Sequence, residues 1–127
     1  MLKIVDNKIY MVRGDDEELD VVPKNADGTD YEMQPEDILT LTVRSKPTED
    51  SLPLIQISSA PGSTRIVIRH EDTAEMDYGS YSADVQLMTA DGRRKTIWPD
   101  LDTGATSTRM RASNIGNFNL ASEVTML

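Results

Sequence analysis

Residues 77–98 read Asp77-Tyr78-Gly79-Ser80-Tyr81-Ser82-Ala83-Asp84-Val85-Gln86-Leu87-Met88-Thr89-Ala90-Asp91-Gly92-Arg93-Arg94-Lys95-Thr96-Ile97-Trp98. Ala83, Val85 and Leu87 alternate with Asp84, Gln86 and Met88. That two-residue period puts one set on each face of a strand. Asp91-Gly92 reads as a tight hairpin turn, because Gly takes positive φ without a Cβ penalty. Lys95–Trp98 then reads as a further strand, and Tyr78-Gly79 as the turn before the first.

The same period recurs on both sides of this stretch. Leu39, Leu41 and Val43 alternate with Ile38, Thr40, Thr42 and Arg44; Ile55 and Ile57 alternate with Leu54, Gln56 and Ser58; Ile66 and Ile68 share a face. Lys8–Val12, Glu18–Val22 and Phe118–Thr125 are further candidates, rich in the β-branched residues that suit a pleated surface. Asn25-Ala26-Asp27-Gly28 and Pro61-Gly62 mark turns. No window has a long helical pattern; at most Glu71–Met76 forms one turn. Short strands joined by turns predict one all-β domain over residues 1–127, an antiparallel β-sandwich of about seven to nine strands. Residues 99–117 break the rhythm and read as a long loop before the last strand, a length that is uncommon unless it serves a function or is disordered.

Composition excludes several classes. The chain has 127 residues, a formal net charge of −9, one His and no Cys. Thiolate metal sites, disulfides and Cys nucleophiles are excluded, as is any site needing two imidazoles from one chain. The acidic balance argues against nucleic acid and anionic membranes, where phosphates call for Lys and Arg. Most of the acidic excess falls in residues 13–50, which reads as a solvated face or as an acidic docking surface. Neither a signal peptide nor a membrane span is visible in the hydropathy pattern. Leu, Ile, Val and Phe make up 28 residues. That predicts a thin core, which gains from burying further surface in a homo-oligomer.

Three motifs resemble chemistry. Asp102-Thr103-Gly104-Ala105 matches the aspartic-protease signature, in which Asp102 from each of two subunits would share a proton. Yet Pro99 interrupts the lead-in strand, and the motif lies far along the chain, so a Gly turn is the preferred reading. Arg13-Gly14-Asp15 has the form of an adhesion tripeptide and reads as a turn between strands. Asn25–Asp30 is acidic and Gly-containing, but an EF-hand needs Gly at position 6 and flanking helices. No Ser has an identifiable general base beside it, no phosphate-binding Gly loop occurs, and His70 reads as a surface residue. No cofactor, metal site or catalytic residue is expected.

Two patterns point to a family. Asp77-Tyr78-Gly79-Ser80-Tyr81-Ser82-Ala83, preceded by Glu71-Asp72, resembles the Asp-x-Gly-x-Tyr-x-Cys of immunoglobulin domains, with Tyr81 as the corner tyrosine and Ala83 at the Cys position. The Trp expected on strand C is missing, leaving its part of the core to Leu41 or Val43. Further, Lys8–Asp15, Ala26–Tyr31, Asp37–Val43, Asp72–Tyr81, Asp84–Gly92 and Ser122–Thr125 resemble, in order and spacing, small β-sandwich proteins of Gram-positive tailed phages and prophages, in particular the amino-terminal domain of the baseplate upper protein. The resemblance implies a non-enzymatic virion structural protein, a baseplate or tail-fibre attachment module contacting other phage structural proteins. The chain departs from that family in lacking a coiled coil or receptor-binding head and in carrying the 99–117 segment, so fibre, neck and head-decoration positions stay open. Trp98, Leu101 and Met110 are the candidate partner anchors, since aromatic and Met residues are enriched at interfaces; ordinary core packing is the alternative for all three. The rival reading is a host-cell or glycan-binding module, which would hold Tyr31 and Tyr78 on one face.

Overall fold

The computed structural model describes residues 2–5, 8–23, 29–45, 52–98 and 116–121. The larger of its two sheets is built around β7 (Gly79–Met88), the longest strand. β4 (Ile38–Arg44) runs antiparallel along one edge, from Ile38 opposite Met88 to Arg44 opposite Ser82. Two strands share the other edge. β8 (Arg94–Trp98) takes the later half, with Arg94 opposite Met88 and Trp98 opposite Val85. β9 (Gly116–Ala121) takes the earlier half, with Gly116 opposite Ala83 and Leu120 opposite Gly79. β8 and β9 therefore lie in line, and the chain leaves the edge at Trp98 and rejoins it two rungs on.

β5 (Pro53–Ser58) extends the sheet beyond β4, and β2 (Lys8–Val12) extends it beyond β9, followed by β1 (Lys3–Val5). The β2–β9 ladder is parallel, Lys8 opposite Asn117 and Val12 opposite Ala121; every other described pairing is antiparallel. The second sheet pairs β3 (Glu17–Asp20) with β6 (Arg65–Ile68). One helical turn, α1 (His70–Thr73), joins β6 to β7. With β3 to β7 as strands B, C, C′, E and F, and β8 plus β9 as a divided G, the order G–F–C–C′ facing B–E is that of an immunoglobulin-like sandwich.

Alternation builds the core. Leu39, Leu41 and Val43 on β4 and Ala83, Val85 and Leu87 on β7 are buried and pair across the ladder. Leu19 and Val21 with Ile66 and Ile68 close the core from the smaller sheet. Phe118 lies between Ile9 and Tyr81 in register and is fully buried. Ala83 fills the Cys position at 5% exposure, and Leu41 and Val43 are both at 0%.

Two turns have plain causes. Gly92 (φ +86) closes the β7–β8 hairpin, where the Thr89 N–H donates to the Arg93 carbonyl at 3.0 Å. Gly62 (φ +79) passes so close to Pro35 that a Cβ would sit 3.2 Å from its carbonyl oxygen. Three boundaries differ from the expectation. β7 begins at Gly79, inside the stretch read as a turn, and this longer edge is what gives Gly116 and Asn117 partners, so the last strand starts inside the stretch read as loop. β3 ends at Asp20, and β1 had no alternation long enough to signal it.

Truncating Phe118 removes a large side chain that is packed from both neighbouring strands. Phe118→Ala is expected to cost about 3–5 kcal/mol, read as a lower urea midpoint with an unchanged slope.

Candidate functional site

Three polar clusters brace the loops around the sandwich. At the corner before β7, the Tyr81 hydroxyl donates to the Asp77 carbonyl at 2.7 Å, the bond expected of a corner tyrosine. Next to it, the Arg13 guanidinium lies 4.1 Å from the centre of the Tyr78 ring and donates to the Tyr78 hydroxyl and to the Met76 carbonyl. Gly14 (φ +85) turns the chain so that its N–H reaches Thr73 Oγ1 at 2.8 Å. The Arg13-Gly14-Asp15 tripeptide is thus a turn docked on the β6–β7 connection.

The second cluster is His70, whose backbone N–H donates to Asp16 Oδ1 at 2.7 Å. Its ring nitrogens lie 3.0 Å from Asp16 and 3.1 Å from Glu71. Hydrogen bonding to Asp16 raises the His70 pKa above its ordinary value, and the same contact, led by the backbone donor, lowers that of Asp16. In the third, buried Asp37 accepts from the Tyr31 hydroxyl and the Gln34 N–H at 2.7 and 2.8 Å. That carboxylate beside the phenol pushes the Tyr31 pKa up to about 12. Tyr31 is drawn against the core, while Tyr78 stays half exposed with Arg13 over one ring face.

The outer face of the larger sheet is different in kind. Its rungs run Ser58–Thr40–Gln86 and Gln56–Thr42–Asp84 across β5, β4 and β7. Thr40 and Ser58 hydroxyls lie 2.9 Å apart, and Gln56 Nε2 donates to Thr42 at 3.4 Å. Thr40, Gln56, Ser58, Gln86, Met88 and Arg94 line a shallow depression of about 290 Å³. Arg94 has no ion-pair partner among the described residues. By contrast, the outer face of the smaller sheet is charged: Glu18 pairs with Arg65 at 3.5 Å, and Asp20 accepts from Thr64.

Asp84 stands at the break in the edge strand. On that side β8 ends opposite Val85 and β9 begins opposite Ala83, so no strand partner faces residue 84 there. Its Oδ1 is buried without a hydrogen-bond partner. Burial raises its pKa, opposed by the nearby Arg44 charge. A buried acceptor left without a donor is uncommon in folded proteins.

Of the sequence-predicted anchors, Trp98 closes β8 as the register partner of Val85; Leu101, Met110 and Asp102 lie outside the described residues. So does most of the acidic 25–30 segment. The described residues contain no group of three or more His, Asp or Glu able to hold a metal ion. Asp84 and Arg94 were missed as a pair. Alternation puts Asp84 outward beside Gln86 and Met88, but nothing local tells that the edge strand breaks at that row.

No family model matches the chain, and no curated protein matches it. Among solved structures, murine CRIg is similar, with a TM-score of 0.37, 14% identity and 97% of each chain covered.

Two titrations test these assignments. A His whose pKa is raised by folding stabilises fully below its ordinary 6.5 and loses that as pH rises through the folded value. An Asp whose pKa is lowered stabilises above 3.8 and loses that as pH falls. The Asp16–His70 clamp is therefore strongest between those values. The His70 ring proton shifts in NMR are expected to titrate above 6.5, returning towards it in Asp16→Asn. For Asp84 the raised pKa means that folding is opposed progressively as pH rises above 3.8 and fully once pH exceeds the folded value. Measured on the dilute, monomeric chain, Asp84→Asn is expected to raise Tm at pH 7, with the gain vanishing below about pH 3.8.

Proposed function

We propose that this chain is a non-enzymatic structural module of a tailed-phage or prophage particle, acting through protein–protein contacts in a baseplate or tail fibre. The ordered resemblance of its segments to the baseplate upper protein supports the phage setting. The immunoglobulin-like sandwich is compatible with it and is silent on function by itself.

One observation carries the contact reading: the larger sheet fixes Trp98 and Gly116, the two residues that flank 99–115. Trp98 is held opposite Val85 and Gly116 opposite Ala83, so the two ends are separated by only about 7 Å of strand rise. A rigid sheet that holds a long insertion at both ends is the usual arrangement for a binding loop on a scaffold. Leu101 and Met110 belong to that insertion and Trp98 to its base, which keeps them as the proposed anchors.

The test has two parts. Peptide mass spectrometry on purified phage particles induced from the source strain is expected to find the chain at a few to some tens of copies per particle. Its absence from particles, with the chain present in the lysate, would overturn the structural role. Replacing residues 99–115 by two glycines is expected to leave Tm nearly unchanged, because β8 and β9 each pair independently with β7. Incorporation into particles is expected to be lost.

A further inference from the structure

Among the described residues, the outer face of the larger sheet holds an acid with one unpaired oxygen, Asp84, whose nearest charge is Arg44, and a base without an acidic partner, Arg94, at equal distances from one residue. Asp84 lies two positions before Gln86 on β7, and Arg94 is the register partner of Met88, two positions after it. Each row is about 7 Å from Gln86 along the strand. Oδ1 of Asp84 is buried without a donor, and Arg94 is exposed without an acidic partner among the described residues. Between them lie only neutral side chains, Gln86, Met88, Thr40 and Ser58.

We propose that two copies of this chain associate face to face through this strip, about a two-fold axis that crosses β7 at Gln86. An axis parallel to the sheet, midway between the two copies and perpendicular to β7, reverses the strand direction. It lays β7 on the β7 of the second copy and exchanges the two rows. Arg94 then meets the partner's Asp84, one strand spacing of about 4.8 Å to the side, well within the reach of an arginine side chain. The same operation makes the second pair, as a closed isologous contact requires.

Charge selects a second copy as the occupant. The chain carries −9 overall, so most faces of two copies repel each other. The outer face of the smaller sheet carries Glu18 and Asp20 against the single Arg65 and so keeps a net negative charge. The strip from Arg94 to Asp84 is balanced, and its one acid and one base complement themselves under the two-fold. The neutral hydroxyls and amides of the depression face one another across the axis, where bridging water satisfies them at little cost. This deepens the contact reading above by naming one partner and one face. It is measured on the purified chain, so its failure and the failure of the particle experiment are told apart.

Sedimentation equilibrium of the full chain, at low and at high salt, is the test. Dimer is expected, weakening as salt rises, because the two ion pairs are partly exposed. Arg94→Glu is expected to raise the dimer Kd at least tenfold and to leave unchanged the Tm measured at concentrations where both proteins are monomeric, since Arg94 is exposed. Adding Asp84→Arg to that variant is expected to restore association by reversing both partners. A chain that stays monomeric at the highest concentration, or a dimer indifferent to Arg94→Glu, overturns the proposal and leaves the face to a different protein.

Discussion

The pairing of β7 along both edges is the constraint on which the rest of the larger sheet depends. One edge is taken by β4 over its full length, and the other is divided between β8 and β9. Because a slip of one residue would turn Ala83, Val85 and Leu87 outward, the register of all three neighbours is set by burying those side chains. β5 then follows from β4, and β2 from β9. Among the described residues the smaller sheet shares no strand pairing with the larger one, and Leu19 and Ile66 pack into the same core.

Much of this was legible in the residues themselves. Leu39-Thr40-Leu41-Thr42-Val43 reports its own alternation, and Tyr81 with Ala83 reports the corner and the core position two residues on. Gly92 reports the hairpin. What could not be read is whatever depends on residues distant in sequence. The parallel pairing of 8–12 with 117–121 has no local signature, and neither does the break in the edge strand at Asp84, which is set by where Trp98 and Gly116 come to rest. Gly79–Ser82 has too few apolar residues to declare itself a strand and becomes one because β9 is there to pair with it.

The distribution of charge follows from the same architecture. Glu18 and Asp20 fall on the outer face of the smaller sheet, where nearby Arg65 and Thr64 accommodate them. Asp37 is the exception: buried at 1% exposure, it is retained because Tyr31 and Gln34 supply its donors. Asp84 received no such donor on Oδ1. The contrast between these two carboxylates separates an acid that serves the fold from one that the fold alone leaves incomplete.

The parallel ladder between β2 and β9 has a mechanical meaning. Lys8 and Ala121 lie at opposite ends of it, so tension applied between those residues pulls the two strands past each other along their length. Every rung from Lys8–Asn117 to Val12–Ala121 then bears load at once, and none can be peeled open singly. A sandwich closed in this way meets stretch between those two residues by shear of the whole ladder.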